Sequence, residues 1–139
     1  MKKIFFTLFI LIGMIGLSID AQAQPEKSVS VRIGSEKAAG RANIKIKFIE
    51  MIEDSRCPRD VQCIQAGNAR VRVRVTRNGR AETLILNSNM QPESAVFAGY
   101  EFKLTALTPE PGSNIRINRN GYVATISVTK AQISRYLKS

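Results

Sequence analysis

A-R-V-R-V-R-V-T-R-N-G-R-A-E-T-L-I-L, residues Ala69 to Leu86, decides the fold class of this chain. From Ala69 to Val75 small or apolar residues take every second position, and Arg70, Arg72 and Arg74 fill the positions between. Successive side chains of a strand point to opposite faces, so this alternation describes a strand with Ala69, Val71, Val73 and Val75 inward and three arginines in solvent. Asn78-Gly79 follows, leading into the run Ala81 to Leu86. Asn-Gly between two such runs signals a two-residue hairpin, because both residues tolerate positive φ. The two runs are expected to pair antiparallel.

The same period spreads outward from this hairpin. Val29, Val31 and Ile33 form an inward row that Gly34 and the small polar run to Gly40 interrupt. Ile44, Ile46 and Phe48 alternate with Lys45 and Lys47, and the strand continues through Glu50 to Ile52 if a bulge shifts its register. After a polar loop, Asn87 to Ser94, the row Tyr100, Phe102, Leu104 and Ala106 predicts another strand. Pro109, Pro111 and Gly112 end it, since proline gives no donor to a ladder. Ile115 and Ile117 predict a short strand, and Asn120-Gly121 a second hairpin into Tyr122, Ala124, Ile126 and Val128. Only the tail, Ala131 to Lys138, has helical spacing, with Ile133, Tyr136 and Leu137 on one side, which predicts a short C-terminal helical turn. About seven short strands without a helical crossover make an all-β domain, either an antiparallel sandwich of immunoglobulin-like type or a small barrel.

The first residues have a different character. Lys2 and Lys3 precede an apolar run, Ile4 to Leu17, and Ala21-Gln22-Ala23 supplies the small residues that a signal peptidase accepts. This pattern predicts a secretory signal peptide over 1–23, because the apolar run falls short of the ~20 residues that span a bilayer. Cleavage after Ala23 leaves one β domain from Gln24 to Ser139, 116 of the 139 residues, periplasmic or secreted and without a transmembrane segment. The chain holds 21 basic and 11 acidic residues. Loss of Lys2, Lys3 and Asp20 leaves an excess near nine, which favours polyanionic partners and equally keeps an exported protein soluble.

Candidate chemistry centres on E-D-S-R-C-P-R-D-V-Q-C-I-Q-A-G-N-A, Glu53 to Ala69. Cys57 and Cys63 are the two cysteines of the chain, and in an oxidising compartment they read as one disulfide closing a small loop. Asp54 and Ser55 are expected to start the turn, Pro58 to restrict it and Gly67 to release the chain into the arginine-bearing strand. The chain has no histidine, so the commonest general base and zinc ligand are missing, and Ser-His-Asp or Cys-His catalysis is excluded. A hydrolase would have to use Glu53, Asp54 or Asp60, yet nothing in the sequence sets a nucleophile or phosphate cradle beside them. No catalytic residue is assigned. Arg56 and Arg59 oppose a cation at this acidic cluster, and two thiolates lack further soft ligands, so neither metal nor cofactor is expected.

Two surfaces remain as binding candidates. Arg70, Arg72 and Arg74 stand ~7 Å apart along one face, and a neighbouring strand bearing Lys45 and Lys47 would widen them into a cationic stripe for an acidic glycan or lipopolysaccharide. No aromatic residues interleave, so no specific nucleic acid is implied. Basic side chains also commonly cover the solvent face of a sheet. The second surface is the clamped loop with Arg59 near its tip, preorganised to meet a protein partner or to block a peptidase.

Asp54-Ser55-Arg56-Cys57-Pro58, then Val61, Cys63 and Ala66-Gly67 ahead of the alternating strand, resemble the DSRCPxxVxCxWAGxA signature of a group of small, uncharacterised bacterial exported proteins. The resemblance runs loosely over most of the chain after the leader, including Tyr100 to Leu107 and the prolines that follow. Gln65 stands where that signature has Trp. The resemblance implies export and a shared fold, and no activity, cofactor or catalytic residue. The expectation is an exported non-enzymatic binding or structural module of the cell envelope.

Overall fold

Two antiparallel sheets of four strands face one another in the computed structural model, which describes residues 26–40 and 42–132. In chain order the strands are β1 (Lys27–Arg32), β2 (Glu36–Ala38), β3 (Ile44–Asp54), β4 (Ala69–Arg77), β5 (Arg80–Asn87), β6 (Ser94–Phe97), β7 (Tyr100–Thr108) and β8 (Val123–Lys130). One sheet has the order β1-β8-β7-β6 and the other β2-β3-β4-β5. Of the two expected architectures this is the sandwich, and the sheets do not close into a barrel. The leader 1–23 and most of the expected helical tail lie outside the described residues.

The decisive hairpin has the expected form. Arg77 pairs with Arg80, and Asn78 and Gly79 between them have φ of 49° and 78°, the double positive φ of a type I′ turn. Ala69, Val71, Val73 and Val75 are fully buried. They meet Val31, Phe102, Leu104, Ala124 and Ile126 from the other sheet in one apolar cluster, with Phe48 and Phe102 its bulkiest fully buried members. Burial of each phenylalanine contributes about 2–3 kcal/mol.

Bulges set which side chains leave the core. The register of β3 shifts between Phe48 and Glu50 and again between Met51 and Glu53, as the sequence allowed. The first shift turns Glu50 outward beside Ile49, and the two together bring Glu50 and Glu53 opposite Arg72 and Arg70. A bulge also lies between Leu104 and Ala106 of β7. There Thr105 is the extra residue and donates from Oγ1 to the Thr125 carbonyl at 3.1 Å. The row Tyr100, Phe102, Leu104 therefore continues through Leu107, which is buried, and Ala106 faces out.

Other departures involve short segments. Ile115 and Ile117 form no strand, because no neighbouring strand pairs with them. Asn120-Gly121 is not a hairpin but part of a 3-10 turn, Arg119–Gly121, in which the Asn118 side chain accepts from the Asn120 amide. β2 lies within the run Gly34 to Gly40 that was expected to be a break, and β6 follows the Asn87–Ser94 loop. The β6–β7 hairpin turns at Ala98 and Gly99, with φ of 50° and 81°.

The two ends of the sandwich differ. At one end β1 begins beside the last residues of β8, Lys27 opposite Val128. There Arg77 donates to the carbonyls of Ala42 at 3.2 Å and Ala98 at 2.7 Å, and lies 4.8 Å from the centre of the Tyr100 ring. At the other end three loops, 55–68, 88–93 and 109–122, gather above the core.

Candidate functional site

Asp54 ends β3 at this loop end, and its carboxylate lies beside the guanidinium of Arg56, two residues on. Arg56 donates from Nε to Asp54 Oδ1 at 2.7 Å and from Nη2 to Oδ2 at 2.8 Å. The same guanidinium donates to the carbonyls of Leu107 at 2.6 Å and Pro109 at 2.9 Å, on the opposite sheet and its loop. Tyr122, just before β8, donates from Oη to Asp54 Oδ2 at 2.8 Å. Burial works against the Asp54 charge, but the hydrogen bonds from Arg56 and Tyr122 and the adjacent positive charge outweigh it, so the carboxyl stays below its ordinary range. Burial first, and then the bond to Asp54 and its negative charge, push the Tyr122 hydroxyl up to about 12. This cluster joins the two sheets and leaves Asp54 no free role as acid or base.

The remaining carboxylates are likewise engaged, each apart from the others. Asp60 accepts from the Ser113 amide at 2.9 Å and from the Ser113 hydroxyl, which hold it below the usual carboxylate range. Glu53 faces Arg70 at 3.8 Å. The structure thus separates Glu53, Asp54 and Asp60 rather than assembling a carboxylate pair. Among the described residues no three His, Cys, Asp or Glu side chains come together.

Cys57 and Cys63 form a disulfide, with 6.0 Å between their Cα atoms. This fits an oxidising compartment outside the cytoplasm. Inside the ring, Pro58 to Val61 make a turn closed by the Val61 amide on the Pro58 carbonyl at 3.3 Å. The Arg59 amide is bonded to the Pro111 carbonyl at 3.0 Å. The backbone at Arg59 is therefore curled and engaged, and it does not offer the extended edge by which a peptide adds to a partner.

The loop is closed at its base by a network that sequence reasoning missed. Ser55 Oγ donates to the Asn68 carbonyl at 2.9 Å and accepts from the Asn68 amide at 3.1 Å, so Ser55 shapes the loop by crossing it rather than by starting a turn. Buried Asn68 donates from Nδ2 to Asn87 Oδ1, and its Oδ1 accepts from the amides of Ser88 and Asn89. Asn89 in turn donates from Nδ2 to the Gly67 carbonyl at 2.7 Å. Gly67 is obligatory here, because a Cβ would lie 1.5 Å from the Ser55 carbonyl oxygen. The only signal in the sequence was Asn between Gly67 and a strand, which marks a turn and not a side chain that both donates and accepts across the loop base.

The basic ladder is positioned by the β3–β4 register. Lys47 stands opposite Arg74, Glu50 opposite Arg72 and Glu53 opposite Arg70. Arg72 and Glu50 form an ion pair. Lys45 lies opposite Thr76, on the same face as Lys47. The expected stripe is thus divided: Arg70 and Arg72 face carboxylates, and Lys45, Lys47 and Arg74 form an exposed cationic patch. Glu36 of β2 is the carboxylate opposite Lys47.

No helix among the described residues is long and apolar enough to cross a membrane. No protein-family model, curated protein or solved structure matches the chain.

Proposed function

We propose that this chain is an exported, non-enzymatic binding module of the cell envelope that holds polyanions on the outer face of the β2-β3-β4-β5 sheet. The leader and the disulfide support export. The observation that carries the binding reading is the Lys47–Arg74 rung. Like charges directly opposite on neighbouring strands destabilise a sheet by several tenths of a kcal/mol. This chain keeps such a rung, offset only by Glu36 on the far side of Lys47, although the next two positions of the same strand pair have their arginines matched directly by glutamates. A sulfate or phosphate group over Lys47 and Arg74 relieves the repulsion, and Lys45 extends the contact to the next group of a repeating polymer. Acidic glycans and lipopolysaccharide have that chemistry.

Among the residues that resemble the DSRCP signature, Asp54, Ser55, Arg56 and Gly67 brace the loop. This supports reading that signature as the mark of a common frame rather than of a reaction centre. The curled loop gives the peptidase-inhibitor alternative less support than the sheet face gives polyanion binding.

The test is salt elution from immobilised heparin, comparing the wild type with K47Q/R74Q and R70Q/R72Q. Both double variants remove two positive charges, so general charge lowers both equally and a site separates them. Markedly earlier elution of K47Q/R74Q alone is expected. Elution of K47Q/R74Q at the wild-type salt concentration overturns the proposal.

A further inference from the structure

Apolar side chains are unevenly distributed over the surface. Among the described residues seven large hydrophobic side chains remain exposed, and four of them, Val61, Ile64, Met90 and Ile115, belong to the three loops at one end of the sandwich. Ile64 is fully exposed, protruding from the disulfide-bearing loop without cover from any neighbour. These loops are not independent. Asn89 bonds the Gly67 carbonyl, Asp60 holds Ser113, and the Arg59 amide bonds Pro111. The apolar side chains are therefore presented together on a braced platform, so little ordering remains to oppose their burial in a partner.

We propose that this loop end docks on an anionic phospholipid bilayer, with Ile64 and Val61 entering the interface and Met90 and Ile115 beside them. The side chains project from three loops, and two recesses at this end are lined by other residues, among them Arg56, Arg59, Asn89 and Glu110. A protein partner would need a matching cavity, whereas a bilayer deforms around separate apolar groups. Charge favours an anionic surface: without the leader the excess is near nine positive charges, and Arg59, Arg116 and Arg119 are exposed on the same loops. Against them the loops expose Asp60, kept charged by its bonds from Ser113, and Glu110, whereas Glu93 is paired with Lys103 at 3.0 Å. The proposal uses the loop end and not the sheet face, so it stands or falls separately from polyanion binding.

The experiment is co-sedimentation of the disulfide-bonded protein with phosphatidylcholine vesicles, with and without phosphatidylglycerol. Wild type is expected to sediment with the anionic vesicles, and V61S/I64S to partition on the order of tenfold less, since two aliphatic side chains leave the interface. Both positions are exposed, and an unchanged melting transition confirms that the variant folds. K47Q/R74Q serves as the sheet-face control, and it retains the apolar contribution. The chain contains no tryptophan, so I64W is a single-site reporter whose emission shifts to the blue on insertion. Three results each overturn the proposal: no sedimentation of wild type, equal sedimentation of V61S/I64S, or an unshifted I64W emission with the protein bound to vesicles.

Discussion

Arg56 and Leu107, 51 residues apart in the chain, are joined by a 2.6 Å hydrogen bond from the guanidinium Nη1 to the carbonyl oxygen. The bond crosses from the loop leaving one sheet to a strand of the other. At the far end of the sandwich Arg77 likewise crosses to the Ala98 carbonyl, and it also holds the Ala42 carbonyl in the β2–β3 loop of its own sheet. Arginine suits this work because its five donors form a fixed planar fork that remains charged at any ordinary pH.

Replacement of Arg56 tests the first clamp. Arg56 and Asp54 side chains are only 14% and 12% exposed, so Arg56→Met leaves a largely desolvated carboxylate with the Tyr122 hydroxyl as its remaining side-chain donor and takes the guanidinium from two carbonyls. A loss of about 3 kcal/mol in urea unfolding at neutral pH is expected. D54N/R56M should lose less than the sum of the single variants, because they share one network. A loss below about 0.5 kcal/mol for Arg56→Met would show a pair that behaves like a solvated surface bridge.

The same cluster gives both limbs of the pH profile a defined sign. The folded Asp54 carboxyl lies below its ordinary value of 3.8, so its stabilisation is whole above that value and is lost as pH falls through the folded pKa. Tyr122 is raised from 10.0 to about 12, so its contribution is whole below 10.0 and fades as pH rises through about 12. The stability gap between wild type and D54N should narrow in acid, and the gap to Y122F should narrow in alkali, the latter by on the order of 2 kcal/mol. Gaps that stay constant across both limbs would contradict the assignment.

Two glycines should respond differently to alanine. At Gly67 the new methyl would meet backbone, the Ser55 carbonyl, and a loss above about 2 kcal/mol is expected. At Gly112 it would meet the Ile115 side chain at 2.7 Å, whose flexible end can move, and the change should stay within about 0.5 kcal/mol. Thermal melts of G67A and G112A settle the contrast, and similar melting points would refute it.

The disulfide should act locally. A ring this small constrains the unfolded chain by about 2 kcal/mol in the loop-entropy account. The loop keeps its Ser55–Asn68 closure and its bonds to Pro111 and Ser113 in any case. C57S/C63S is expected to retain the β-sheet circular dichroism and to lose about that amount. Complete unfolding at room temperature would mean that the bridge supports the whole domain.

Legibility followed the range of the interactions. The alternating row in β4 and the Asn78-Gly79 turn could be read directly, because strand period and a double positive φ are local properties. Ala106 was misplaced because the bulge at Thr105 depends on the partner strand, and alternation alone cannot reveal an extra residue. β2 and β6 are too short to show a period, and Ala98-Gly99 is a weaker turn signal than Asn-Gly. At the loop end, the disulfide was visible as two cysteines and a compartment. The role of Arg56 was not, since its partners Leu107, Pro109 and Tyr122 are distant in sequence. The division of the arginine ladder also required the register, because only pairing places Glu50 and Glu53 against Arg72 and Arg70.

The pairing of β1 with β8 has a directional consequence. Lys27 and Lys130 lie at the same end of the molecule, and the Cys57–Cys63 ring lies at the other. A tether, fusion or label attached beyond either strand therefore emerges from the base, with the braced loops pointing outward like the head of a post. A protein immobilised in that way would present Ile64 and its neighbours to whatever approaches from above, whereas attachment through the ring would hide them.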